Sequence, residues 1–200
     1  MKKTYCLLSL FFLTSIINCS SQISIKDPGI PSLLVNKLPY RVAIIYPENF
    51  ENFIHEERVI GRKSWKIDFT RSNKLLFNKI FSSFFSGITI LDEVDSTSNL
   101  GFDIVIKPSI DAIEFSVPEQ SQDETFSVWI RYRIKMFDNN GIEIINWPIS
   151  SYGKTSTSTF ADEQDLANAA VLAMRDAAAL IILQIEKSKK ITNIINLVDE

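Results

Sequence analysis

The sequence predicts an α+β fold, a mixed or antiparallel sheet of about five to seven strands packed by two helices. Three observations predict it. Residues 126–137 alternate with a period of two: Phe126, Val128, Ile130, Tyr132, Ile134 and Met136 form one face, and Ser127, Trp129, Arg131, Arg133 and Lys135 the other. Residues 73–86 place Leu76, Phe77, Ile80, Phe81 and Phe84 on one side of a helix. Residues 163–187 do the same with Leu166, Ala170, Ala173, Ala177 and Ile181, and the alanines permit close approach to a sheet.

In chain order, residues 1–18 read as an export signal. Lys2 and Lys3 open it, and residues 6–17 form an apolar run too short to span a bilayer comfortably. Residues 19–39, with Pro28, Pro31 and Pro39 and no sustained period, read as a tether that touches the body only near 33–35. A single domain, 40–187, then opens with the buried-strand run Arg41-Val42-Ala43-Ile44-Ile45-Tyr46, stopped by Pro47. After a polar connection, Trp65, Ile67 and Phe69 alternate with polar neighbours in a half-exposed strand.

Ser72 is placed to cap the helix at 73–86, and Gly87 to end it. Residues 88–94 form a short strand and 95–101 a polar turn. Residues 102–117 form a longer strand, with Pro108 marking an edge or a bulge. After a solvated loop at 119–124 comes the alternating strand, and Asp138-Asn139-Asn140-Gly141 turns it back into a partner at 142–147. The hydroxyl-rich residues 150–159 suit a further, exposed edge strand.

For the last helix, Asp162 is the expected cap, Glu163 and Asp165 favour the positive end, and Lys187, Lys189 and Lys190 the negative end. At roughly 37 Å it outruns a typical strand. Its turn Leu180-Ile181-Ile182-Leu183 is apolar all round and needs cover from the tail (188–200), chiefly residues 191–198, or from a second subunit.

Composition narrows the function. Cys6 and Cys19 are the only cysteines, and removal of the signal leaves Cys19 alone, so the fold rests on its core rather than on disulfides. Removing Lys2 and Lys3 makes a net charge of −3 more negative, which argues against a general nucleic-acid or anionic-lipid surface.

Catalytic patterns fail one by one. His55 is the only histidine, so one chain cannot build a multi-histidine zinc site, and a Ser–His–Asp site would hang on a residue read here as a solvent-facing loop histidine. Gly153-Lys154-Thr155 matches the end of a P-loop, but Pro148 stands where that loop needs its other glycine. Asp103, Asp111 and Glu114 do not make an acid–base pair, because regular strand geometry sends Asp111 and Glu114 to opposite faces. Asp92, Glu93 and Asp95 lack the alternating ligands and turn glycine of a calcium loop. No catalytic residue, metal or cofactor is expected. What remains is the strand face of Trp129, Arg131, Arg133 and Lys135, an aromatic among three cations that suits an acidic partner, a headgroup or a polymer, and that also fits the plain polar outer face of an antiparallel sheet.

Ile16-Ile17-Asn18-Cys19 resembles the lipobox of bacterial lipoproteins. The resemblance implies cleavage before Cys19 and acylation of its thiol and its new amine. Several acyl chains anchor stably where one binds only marginally. By the sorting rule of enteric bacteria, Ser20 and Ser21 imply transfer to the outer membrane.

The element order, with the strand-opening Phe102-Asp103-Ile104-Val105-Ile106, the D-x-x-G turn at Asp138 to Gly141 and the final Ala-rich helix, resembles a group of envelope lipoproteins. It is that of the curli-secretion-channel lipoproteins, the activators of peptidoglycan synthases and the N-terminal domain of TolB. Uncharacterised lipoprotein families of spirochaetes and myxobacteria are similar too. These families are mainly non-enzymatic. The resemblance implies a lipid-anchored binding or assembly subunit with an envelope protein partner, or a homo-oligomer. A carrier of apolar ligand, its cavity lined by the Phe-rich helix, is the alternative.

Overall fold

The computed structural model describes residues 20–58, 64–91, 101–120, 123–158 and 162–188. The chain runs β1 (Ser20–Ser24), β2 (Leu38–Ile45), a one-turn α1 (Glu48–Glu51), β3 (Ile54–Arg58), β4 (Ser64–Asp68), α2 (Thr70–Phe84), β5 (Phe85–Leu91), β6 (Ile104–Ser116), β7 (Thr125–Asp138), β8 (Glu143–Ser156) and α3 (Asp162–Lys187). The fold is α+β, as the sequence predicts, but the strands divide into two sheets. One has five strands in the order β5-β2-β6-β7-β8, and the other three in the order β1-β4-β3.

In the large sheet β2 runs parallel to both β5 and β6, and β6, β7 and β8 form an antiparallel meander. Asp103 fixes the entry to β6. Its Oδ2 accepts the Arg41 N–H at 2.7 Å, and its own N–H donates to Arg41 O at 2.9 Å. At the hairpin tip Asp138 Oδ1 accepts the N–H groups of Asn140 and Ile142, and Gly141 takes a φ of +78° that an L side chain rarely adopts.

Both long helices cover one face of this sheet. The Phe stripe of α2 is buried and packs ring against ring: Phe77 meets Phe50 and Tyr132 edge-on at 5.4 Å each and Phe81 at a tilt at 5.8 Å. It is packed core rather than the lining of a cavity. Burying each such side chain stabilises by about 1.5–3 kcal/mol. Helix α3 lies on β7 and β8 through Leu166, Ala170, Ala173, Ala177 and Ile181, all fully buried. The alanines do permit close approach, and Gly153 on β8 completes it. A Cβ there would lie 2.1 Å from Ala169 O and 2.4 Å from Ala173 N.

Several expectations are corrected. Residues 20–24, read as tether, pair in parallel with β4 and bury Ile23, and the next residue, Ile25, is buried too. The polar connection before β4 contains α1 and β3. Helix α2 begins at Thr70, whose N–H donates to Asp68 Oδ1 at 2.9 Å. The buried Ser72 hydroxyl donates to Phe69 O and does not cap the helix. Gly87 does not end α2, since the chain passes from Phe84 directly into extended Phe85 and Gly87 pairs with Arg41 inside β5.

Pro108 keeps register with Ile134, and the bulge falls at Asp111, between Ile110 and Ala112. The missing N–H of Pro108 costs no ladder bond because β2 pairs with β6 only at Ile104 to Ile106. Residues 142–147 and 150–156 form one strand, β8, running through Pro148. The N–H of Tyr152, on the outer edge of β8, donates to Asp176 Oδ2 of α3 at 3.0 Å. Asp162 opens α3, and the residue before it lies outside the described residues, as do the signal, the acidic residues Asp92, Glu93 and Asp95, Lys189, Lys190 and the tail 191–198. Cover for the apolar turn of α3 comes in part from the N-terminal segment: Ile30 and Pro31 flank Ile182 across a groove of about 460 Å³, and Arg175 Nε donates to Pro28 O at 2.8 Å.

Candidate functional site

Alternation along β7 puts its cations and Trp129 on the face of the meander opposite the helices. Trp129 stands directly across from Tyr152 of β8 and from Glu114 of β6, Arg131 from Ser150 and Ala112, Arg133 from Pro148 and Ser109, and Lys135 from Asn146 and Lys107. The four residues singled out by sequence therefore form one row. They are not equivalent.

Arg133 is engaged. It pairs with Asp111 at 2.5 Å and donates to Asn146 Oδ1 at 3.0 Å, and the Asp111 hydrogen bond and charge hold its guanidinium even more firmly protonated than usual. Lys135 is engaged too, 3.1 Å from Glu143. Hydrogen bonds from Asn146 and Lys135 hold the Glu143 carboxyl below its ordinary range. Among the described residues, neither Arg131 nor Glu114 has an ion-pair partner. Trp129 is 45% exposed and Tyr152 40%, their rings 4.8 Å apart and tilted by 40°.

Trp129 and Arg131 line a groove of about 270 Å³, whose other walls are Ala112, Glu114, Ile130, Ser150 and Ser151. The bulge at Asp111 builds one wall. A regular strand would place Asp111 and Glu114 on opposite faces. The extra residue brings both to this one, Asp111 against Arg133 and Glu114 into the groove. Sequence reading located the row on β7 but missed Glu114, Ser150 and Tyr152, which only the cross-strand register brings beside it. The groove combines an aromatic platform, one uncommitted cation, one uncommitted carboxylate and a hydroxyl. That set suits contact with a polar surface, and among the groove residues no nucleophile–base pair is hydrogen-bonded.

His55 lies in β3, not in a loop. Its ring packs edge-on against Phe115 at 5.7 Å, and Nε2 is 3.7 Å from Glu57 Oε2 without a hydrogen bond. Gly153-Lys154-Thr155 lies inside β8, where the glycine serves helix packing. Asp103 is committed to β2. Among the described residues no group of three or more His, Cys, Asp and Glu side chains is arranged to hold a metal ion.

No protein-family model and no curated protein matches the sequence. Solved structures similar to it include the minor lipoprotein of Acinetobacter baumannii, at 8% identity and a TM-score of 0.46 over 75% of this chain and 92% of that one. Uncharacterized lipoprotein B of Nitrosomonas europaea is 12% identical, with a TM-score of 0.40 over 74% of this chain and 84% of that one. Lipoprotein GNA1162 of Neisseria meningitidis is 10% identical, with a TM-score of 0.34 over 75% of this chain and 100% of that one. All three are bacterial lipoproteins. At these identities and scores they transfer no residue and no activity to this chain.

Proposed function

We propose that this chain is a cell-envelope lipoprotein of the outer membrane, anchored through acylated Cys19, that works without catalysis by binding another envelope protein. The lipobox-like Ile16-Ile17-Asn18-Cys19 behind an apolar export signal supports the anchor, and Ser20 and Ser21 support the outer membrane. The observation that carries the binding role is the groove on the open sheet face, where exposed Trp129 stands beside an Arg131 and a Glu114 that have no ion-pair partner among the described residues. Exposed aromatic and Arg side chains are the commonest anchors of protein interfaces. The resemblance in element order is to families that act mainly by binding and assembly. The packed state of the α2 stripe gives the apolar-carrier alternative no support.

Two measurements test this. Intact mass of the membrane-extracted protein should show loss of residues 1–18 and gain of acyl chains, neither of which a Cys19→Ala chain should show. A photo-crosslinking amino acid at position 129, in cells, should give a discrete protein adduct that Arg131→Glu abolishes, while the same probe at the exposed Leu172 on α3 gives none. Identical adducts at both positions, or none at 129, would remove the face from consideration.

A further inference from the structure

The lipidation motif ends at Cys19, and the next residue is already part of the folded body. Ser20 pairs with Ser64 across β1 and β4, and Ser64 pairs with the exposed Arg58 of β3. Ser21 is buried, and its hydroxyl donates to a carboxylate oxygen of Glu163 in the first turn of α3. Ile23 is buried in the core. Consecutive Cα atoms are about 3.8 Å apart, so an acyl group on Cys19 sits one peptide step from a paired strand. We propose, building on the acylation of Cys19, that the body stands directly on the bilayer with no linker, its three-stranded-sheet end against the headgroups and its β7–β8 hairpin tip pointing away.

The same end of the molecule gathers several termini of the large sheet. Trp65, the register partner of Ser21, packs against Phe126 at the start of β7, with ring centroids 6.1 Å apart. His55 packs against Phe115 at the end of β6. Strand β7 has 14 residues, so the tip at Asp138 to Gly141 stands roughly 45 Å from this end. Arg58, in the anchored row, faces the phosphates. Glu119, Asp123 and Glu124 in the β6–β7 connection belong to the same end, so net attraction to anionic lipid does not set the orientation. Covalent acyl chains and strand pairing set it. The groove at Trp129, four residues into β7, is then presented close to the membrane, so its partner belongs to the same bilayer or lies against it.

The test uses the full-length acylated protein in vesicles of phosphatidylethanolamine and phosphatidylglycerol carrying a headgroup-linked acceptor dye. Acylation occupies the Cys19 sulfur and signal cleavage removes Cys6, so Lys154→Cys and Asn139→Cys each provide a single thiol for a donor dye. Energy transfer at position 154 should exceed that at 139 several-fold. A ten-residue Gly/Ser insertion between Cys19 and Ser20 frees the body over a span of roughly 17 Å and should bring the two efficiencies together. Equal transfer at both positions in the unmodified chain, stronger transfer at 139, or an asymmetry that survives the insertion overturns the proposal. Failure of the protein to float with the vesicles overturns the Cys19 anchor itself, and this proposal with it, and is recognised by loss of transfer at both positions.

Discussion

The two faces of the β6–β7–β8 meander are built from the same strands, one residue apart, and they obey different rules. On the inner face Ile130, Tyr132, Ile134, Met136, Ile145 and Ile149 are buried, and shape decides what fits. On the outer face charge decides. Arg133 and Lys135 are neutralised by Asp111 and Glu143, whereas among the described residues Arg131 and Glu114 have no ion-pair partner. The difference teaches where to look for function. Selection for folding explains every inner residue and the paired part of the outer face, but it does not explain an exposed Trp beside unpaired charges.

The sharpest way to break the comparison is to add one atom to the inner side. Gly153→Ala drives a Cβ into backbone atoms of α3 that cannot yield, and the loss should be about 3 kcal/mol or more, lowering Tm by roughly 6–12 °C for a chain of this size. Differential scanning calorimetry measures this directly. A variant as stable as the parent would mean that α3 does not seat on β8 as described.

A smaller effect is expected inside the core. The Tyr132 hydroxyl, whose phenol burial pushes well above its ordinary range, donates to Asn73 Oδ1 at 2.8 Å, and Asn73 Nδ2 has no partner. Tyr132→Phe leaves that buried amide without a bond and should cost about 2 kcal/mol. Adding Asn73→Leu should recover most of it, because removing both polar partners removes the desolvation penalty. If the denaturant midpoints of the parent and of Tyr132→Phe coincide, the bond does not contribute.

The outer face should respond least. Arg133→Ala breaks an exposed, solvent-screened pair and should leave Tm close to that of the parent. Its pH behaviour has a definite sign. The carboxyl pKa of Glu143 on that face, and that of Glu56 in β3 of the small sheet, are lowered in the folded state from an ordinary 4.5, Glu143 first by its hydrogen bond from Asn146 and Glu56 first by that from Lys66. Their contribution is therefore present above about pH 4.5 and is lost as pH falls through the lowered folded values. Stability curves of the parent and of Glu143→Gln should differ slightly at neutral pH and converge in acid. Divergence on acidification would contradict this assignment.

The same contrast shows what was legible in the sequence. Strong periodicity gave β7, α2 and α3, and the Asp138 to Gly141 turn gave the hairpin. Strand β1 was hidden because Ser-Ser-Gln-Ile-Ser offers one apolar residue and three prolines follow it closely. Strand β3 was hidden because its inward positions are His55 and Glu57, so its apolar signal is nearly absent. The groove was half legible. Alternation on β7 places Trp129 and Arg131 on one face, but an extra residue in β6 changes the parity of everything after it, and nothing in Ile110-Asp111-Ala112 marks the insertion. The cross-strand neighbours Glu114, Ser150 and Tyr152 follow from register, which a single strand's pattern does not contain.

The outer margin of β8 carries one more consequence. Pro148 and Tyr152 are four residues apart and share the outward-facing set of backbone positions. Proline has no N–H to offer there, and the Tyr152 N–H is taken by Asp176 of α3. Two donors that a neighbouring chain would need for adding a strand are thus withdrawn along the same margin. An unguarded strand margin of this length would be a template for side-by-side association of neighbouring chains. With these two donors withdrawn, strand addition along this margin is disfavoured, and the groove on the adjoining face is left accessible.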